Sequence, residues 1–256
     1  MSKNRRGGRD LRSHRVIEGT VGFHRLAEGS VLYRCEGTVI LVTASVDENV
    51  PKFMEGSGRG WVTAEYQIHP RANPQRREPR DGRNKPLAGR SKEIERLIGR
   101  SLRAAVHPER FGERTIVIDC DVLEADGGTR TASITGGWVA LALAFDRLRA
   151  KGVLKAPPLR DQVAAISVGY IDGEFALDLC YAEDSIARVD LNAVGTARGD
   201  IVELQGTAEG QALPRADMDK MIDLAMVGVA SMCEVQRNML EKAGVNLGPL
   251  LSAPKA

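Results

Sequence analysis

Gly127-Gly128-Thr129-Arg130-Thr131-Ala132-Ser133 stands between a strand-like run, residues 115–123, and an apolar helical run, residues 134–148, so the two glycines mark a strand-to-helix turn. Glycines let the backbone approach an anion closely. The amides that open a helix have no intrahelical acceptors and carry partial positive charge. Arg130 and the hydroxyls of Thr129, Thr131 and Ser133 add donors suited to a tetrahedral group such as phosphate. A plain turn with Thr129 as N-cap is the alternative for this stretch taken alone.

Working outward, alternating apolar residues predict strands near residues 15–21, 30–35, 38–46 and 61–68, with Glu36-Gly37 closing a hairpin. Ser91 is placed to cap a helix reaching about residue 106, with Ile94, Leu97, Ile98, Ser101, Leu102 and Ala105 on one stripe and Arg96, Arg100 and Arg103 off it. Beyond the central turn, a hairpin is expected from residues 162–171 and 174–182 around Asp172-Gly173, and a second from 189–194 and 201–209. A long helix, 216–242, follows Pro214. The repeated order of strands then helix suggests a duplicated β-α unit in an α/β (α+β) chain. Residues 244–256 show no pattern, and disorder is expected there.

The chain has 256 residues, 43% hydrophobic and 27% charged, enough for a sizeable core in one large domain or two closely packed ones. No apolar run approaches the roughly 18–20 residues that span a bilayer, and the basic start leads into no signal-type segment, so a soluble, cytoplasmic protein is expected. Cys35, Cys120, Cys180 and Cys233 form no C-x-x-C pair and read as small buried hydrophobes. His14, His24, His69 and His107 are equally dispersed.

The net charge is only +2, yet Arg71, Arg76, Arg77, Arg80, Arg83, Lys85 and Arg90 face only Glu78 and Asp81 within one window. That window carries +5 and leaves −3 elsewhere. Pro74, Pro79, Pro86, Gly82 and Gly89 exclude a regular helix or strand there. A loop of about 20 residues without secondary structure is usually functional or disordered. Arginines on such an arm neutralise nucleic-acid phosphates whatever the base sequence, and the window has no aromatic residue for base stacking. A solvated charge run is the plain alternative.

Glu183-Asp184-Ser185 with Asp190 forms a second constellation. Magnesium takes one or two carboxylates plus waters and a substrate phosphate, and Asp184 and Asp190 suffice for that; a turn cap and a solvent-facing acid are the alternatives. Asp119 and Asp121 share one strand face and read as structural partners for nearby arginines.

Together the strings Gly89-Arg90-Ser91, residues 93–103, residues 119–136, Glu183-Asp184-Ser185 with Asp190, Gln205-Gly206-Thr207-Ala208-Glu209-Gly210 and residues 61–66 resemble bacterial ribonuclease PH, from about residue 8 to the final helix. The resemblance implies a single domain of that type over residues 1–243, a two-layer β-α sandwich, and a homohexameric ring built as a trimer of dimers. It also implies a phosphate-dependent 3′-5′ exoribonuclease that trims tRNA precursors and other structured RNA with 3′ tails, releases nucleoside diphosphates, and runs backwards as a nucleotidyltransferase. On that pattern Arg90, Gly128, Thr129 and Arg130 hold the inorganic phosphate co-substrate. Asp184 and Asp190 hold Mg2+ or donate a proton, with Arg130 completing the catalytic set, while Arg71, Arg76, Arg77, Arg80 and Arg83 contact RNA. A catalytically silent RNA-binding ring subunit would lack the anion-site arginine or the aspartates, all of which are present. A nucleotide-dependent kinase would want a G-x-x-x-x-G-K-[ST] loop, which is missing. A metal-dependent hydrolase remains the other enzymatic reading.

Overall fold

The computed structural model describes residues 5, 8–73, 77 and 89–253. Its first half contains β1 (Ile17–Val21), β2 (Gly29–Cys35), β3 (Thr38–Asp47), β4 (Trp61–Ile68), α1 (Gly89–Ala104), β5 (Thr115–Glu124) and α2 (Thr129–Ala150). The second half contains β6 (Val163–Ile171), β7 (Glu174–Leu177), α3 (Tyr181–Asp184), β8 (Val189–Thr196), β9 (Ile201–Ala208) and α4 (Arg215–Lys242). A five-stranded sheet has the order β1-β2-β3-β5-β4, and a four-stranded sheet the order β7-β6-β8-β9. Among the described residues, no helix is long and apolar enough to cross a membrane.

One strand pair decides where chemistry can occur. β4 and β5 are parallel, Trp61 lying beside Thr115 and Ile68 beside Val122, whereas the other pairings are antiparallel. Parallel neighbours need a crossover connection, and the arginine-rich segment and α1 supply it. The crossover starts α1 near the carboxyl end of β4, and α2 starts just beyond the carboxyl end of β5. Both helix N-termini therefore arrive at the same edge of one sheet, the edge where open α/β sheets place ligands.

The predicted stripe of α1 is buried at Ile94, Leu97, Ile98, Ser101 and Leu102. α2 is buried on nearly all sides because it packs on β2 and β3 of one sheet and on β6 of the other. At Gly29 in β2, an added Cβ would fall 2.0 Å from the Ala140 carbonyl oxygen, so only glycine lets strand and helix backbones meet. α4 covers β6 and β8, and its fully buried Gln236 donates to the Thr135 and Val163 carbonyls at 3.1 and 2.9 Å, tying α4 to α2 and β6. All four cysteines are free and buried, and burial pushes the Cys35 and Cys233 thiols up to about 12.

Three expectations change: α1 begins at Gly89, so Ser91 lies buried inside its first turn instead of capping it. The strand predicted for residues 174–182 ends at Leu177, because Asp178 adopts a left-handed φ of 56° and the chain turns into α3. The segment after residue 244 is not disordered through Ala253: Val245 and Leu250 join the main core, and Leu159 exchanges backbone bonds of 2.9 Å with Leu250 and Ser252. Its few apolar residues lack helical or strand spacing, so the pattern carries no sign of a bridge formed with Leu159.

The N-terminal arginines join the halves. Arg15, only 2% exposed, donates from Nη2 to Asp178 Oδ1 at 2.7 Å and from Nε to Oδ2 at 3.0 Å, while its Nη1 reaches the Asp126 carbonyl at 2.9 Å. Arg5 clasps Glu183 through Nε at 2.8 Å and Nη2 at 2.9 Å, and Arg9 adds a pair to Glu183 at 3.2 Å. Burial alone would push the Asp178 carboxyl up, but the Arg15 hydrogen bonds and charge outweigh it and hold the group below its usual value. The stability gained is fully present above the unfolded carboxyl value, roughly 3.9, and is lost as pH falls through the depressed folded value. Asp178→Asn leaves Arg15 buried without its counter-charge, and the expected cost is roughly 3–5 kcal/mol. Urea unfolding should show that loss at neutral pH, with a shallower decline on acidification than in the parent; equal stability of the two would refute the role assigned to the pair.

Candidate active site

The anion turn is built from two consecutive left-handed glycines, Gly127 at φ 81° and Gly128 at φ 68°. An added Cβ at Gly127 would lie 2.7 Å from the Cys180 carbonyl carbon and the Tyr181 nitrogen, and one at Gly128 would lie 2.7 Å from Arg15 Nη2. Neither position has room or backbone freedom for another residue. Thr38 clamps the turn, its Oγ1 donating to the Gly127 carbonyl at 2.7 Å and accepting from the Asp126 amide at 2.9 Å. Gly128 is the N-cap of α2 and no side chain caps it, which leaves the opening amides facing outward.

The hydroxyls divide in a way that local spacing does not foretell. Thr129 does not cap the helix; its Oγ1 accepts from the Tyr66 hydroxyl at 2.8 Å. Thr131 donates back to the Gly128 carbonyl at 2.9 Å, and Ser133 is fully buried. Among the three, Thr129 alone stays half-exposed at the turn. Tyr66 is a site residue that sequence reasoning misses, since nothing in an apolar strand pattern tells which aromatic ends beside a threonine three elements away.

Around this turn the structure gathers Arg90 and Arg130, from the first turns of α1 and α2, with Asp184 at the end of α3 and Asp190 in β8. Burial pushes the Asp184 carboxyl above its usual value, against the opposing charges of Arg90 and Arg130. Burial also raises Asp190, reinforced by the neighbouring charge of Asp184 and opposed by Arg130. Burial likewise raises the Tyr66 hydroxyl, while Arg90 and Arg130 pull it down. Two cations from the first half thus lie within electrostatic reach of two anions from the second. Arg130 Nη1 also donates to Gln205 Oε1 on β9 at 3.0 Å and lies 3.7 Å from Glu93 Oε1 on α1.

Arg76, Arg80 and Arg83 lie outside the described residues; Arg71 and Arg77 are exposed. The root of the arm is anchored where buried Ala72 accepts from the Ala125 amide at 3.0 Å, next to the anion turn. Asp119 and Asp121 do not serve as arginine partners. Asp119 accepts from Thr43 Oγ1 at 3.4 Å, and burial and then Glu65 raise its carboxyl. They lie on the sheet face away from α2, where the alternation of β5 turns them, and no ion pair to arginine reaches either among the described residues.

Among the described residues, no group of three or more His, Cys, Asp or Glu is arranged to hold a metal ion. Asp184, exposed at the end of α3, and Asp190, partly buried in β8, nevertheless fit magnesium: they are hard oxygen donors that repel each other, and this ion needs only one or two carboxylates when waters and a substrate phosphate complete its shell. The N-terminal arginines that position α3 are equally hidden in the sequence, because charge alone does not reveal a buried partner.

Comparison with known proteins agrees with this arrangement. Residues 13–145 match the model of the 3′ exoribonuclease family, domain 1, of RNase PH type, and residues 161–228 match domain 2 of the same family. The chain is 49% identical over 243 residues to a ribonuclease PH of Crocosphaera subtropica, covering 95% of this chain and 100% of the relative. It is 50% identical over 227 residues to that of Solibacter usitatus, covering 89% and 95%. Among solved structures, the Archaeoglobus fulgidus exosome with RNA bound to the active site aligns at a TM-score of 0.75 with 20% identity, over 91% of this chain and 92% of that one. Rice Rrp46 aligns at 0.74 with 18% identity, over 92% and 100%, a likeness of fold. With both domain models matched in order and near-half identity along almost its whole length, the chain belongs to the RNase PH branch of the 3′ exoribonuclease family.

Proposed function

We propose that this phosphorolytic 3′-5′ exoribonuclease holds inorganic phosphate on Arg90, Arg130, Thr129 and the Gly128 turn, and places the RNA 3′ end between that phosphate and the Asp184–Asp190 pair. The observation that carries the reading is that two first-turn arginines of the first half stand within electrostatic reach of two carboxylates of the second, Asp184 on α3 and Asp190 on β8. A phosphate nucleophile and a phosphodiester repel each other, so the reaction needs fixed cations that hold both at close range. Arg90 and Arg130 orient the attacking oxygen. That oxygen forms a bond to the terminal phosphorus as the bond to the penultimate 3′ oxygen breaks, and a nucleoside diphosphate leaves. The reverse reaction adds a nucleotide. Asp184 and Asp190 would hold magnesium, which when bound supplies Lewis-acid stabilisation of the charge on the phosphoryl centre and the departing oxygen.

The substrates we assign are tRNA precursors and other structured RNA with 3′ tails, the assembly a homohexameric trimer of dimers, and the compartment the cytoplasm. The basic window of residues 71–90 supports an RNA ligand. A silent ring subunit is the less favoured reading because Arg90, Arg130, Asp184 and Asp190 converge rather than scatter.

Incubating the purified protein with a 3′-extended tRNA, with and without phosphate, tests the reaction class. Nucleoside diphosphates should appear only with phosphate; monophosphates released equally well without it would show a hydrolase.

Asp184→Asn and Asp190→Asn keep side-chain shape and remove charge. Each should lower turnover on the order of 10²-fold, the scale of losing one preorganised charge at a reacting centre, and raise the magnesium concentration needed. Unaltered magnesium titrations in both would return these residues to a structural role.

Replacing Arg76, Arg77 and Arg80 together with alanine should weaken tRNA binding about tenfold or more and flatten its salt dependence by up to ~0.7 for each single-stranded phosphate no longer neutralised. Short oligoribonucleotides should still be phosphorolysed. An unchanged salt slope would mean a solvated surface.

A further inference from the structure

The bond from Arg130 to Gln205 is not explained by the fold. Gln205 projects from β9 in the second half, while Arg130 sits in the first turn of α2, and the glutamine's two ends face opposite charges. Its Oε1 accepts from Arg130 Nη1 at 3.0 Å, and its Nε2 donates to Glu93 Oε1 at 3.2 Å and to Glu203 Oε1 at 3.4 Å. This orientation is dictated by the neighbours, since a flipped amide would turn donors toward a guanidinium and an acceptor toward two carboxylates. Glu203 is itself engaged by Arg100 at 2.7 and 3.1 Å, leaving Glu93 as the carboxylate that competes for Arg130. Glu93 Oε1 stops 3.7 Å short of Arg130 Nη1, with Gln205 hydrogen-bonded to both.

We infer that Gln205 is a positioning residue for the phosphate site: a neutral spacer that fixes the Arg130 guanidinium while keeping Glu93 from neutralising it. The inference rests on the reading that Arg130 holds phosphate. A neutral acceptor occupies one of the five guanidinium N–H donors without adding a counter-charge, and Glu93, held at 3.7 Å, pairs with Arg130 beyond hydrogen-bond range, which leaves the other donors for the incoming anion. A carboxylate in the same place would form a charge-assisted pair and compete with phosphate for the same donors. The tether also spans the halves, so Arg130 on α2 is aimed relative to Asp190 on β8, the strand paired with β9.

The test is steady-state phosphorolysis of a short oligoribonucleotide with phosphate and RNA varied separately, together with thermal melting. Gln205→Glu should raise the phosphate KM on the order of tenfold, the effect of one half-buried charge pair lying between those of exposed and buried pairs. Its kcat at saturating phosphate, RNA KM and melting temperature should stay close to the parent's. Gln205→Met, which keeps the bulk and removes all three side-chain hydrogen bonds, should also raise the phosphate KM, because Glu93 is then free to close on Arg130. Adding Glu93→Gln to Gln205→Met should restore it, a rescue that a purely structural role for Gln205 would not produce. An unchanged phosphate KM in either folded single variant would overturn the inference, as would failure of the rescue or a parallel rise in RNA KM. If the parent showed no saturation by phosphate at all, the phosphate-site reading would fall first and the inference with it.

Discussion

The buried contact between Arg15 and Asp178 is the constraint on which the site depends. One guanidinium is shared between a carboxylate of the second half and the Asp126 carbonyl that leads into the glycine turn, with Gly128 pressed against its Nη2. Because a buried charge left without its partner is strongly disfavoured, the pair tolerates little relative movement of the two halves. Arg5 and Arg9 extend the restraint to Glu183, the residue beside Asp184. The distance between anion turn and carboxylates is therefore set by ion pairs outside the site, made by a segment that performs none of its chemistry.

Within the site the difficulty is the reverse: opposite charges must stand near each other without cancelling. Arg90 and Arg130 act on Asp184 only as opposing influences, too weak to overcome the effect of burial on its carboxyl. Neutral groups hold the cation and the turn instead, with Gln205 on Arg130 and Tyr66 on Thr129. Hydrogen bonds to neutral partners orient side chains while preserving charge for a ligand, whereas salt bridges would cancel it. The short ion pairs lie where rigidity is wanted, while at the anion site a neutral acceptor makes the short contact to Arg130 and the nearest carboxylate, Glu93, stands off at 3.7 Å.

Periodicity makes much of the architecture legible. The stripe of α1 and the Asp172-Gly173 hairpin follow from spacing and turn chemistry, whereas the parallel pairing of β4 with β5 does not. Where spacing fails, a tertiary bond is responsible. Asp178 ends its strand because its carboxylate is committed to Arg15, and the apolar residues after 244 are ordered by the main core and by the bridge to Leu159. The site residues are legible to different depths. Arg130 and its glycines announce themselves by local composition, but the hydroxyls of Thr131 and Ser133 look equally available in sequence, and helix rotation alone turns them inward.

By itself the sequence determined the elements, the strand-to-helix glycine turn, the concentration of arginine in one window and, through long matching strings, the family. These are properties of residues near one another in the chain, where backbone sterics and side-chain spacing act directly. Tertiary structure alone decided which of many arginines are structural and which face the site. Arg15 and Arg130 are chemically identical, and only the placement of Asp178 against one and Gln205 against the other separates a buried clamp from an available cation. The partners lie 163 and 75 residues away in the chain. At such separations local spacing carries no signal, and burial together with pairing sets the role of each charge.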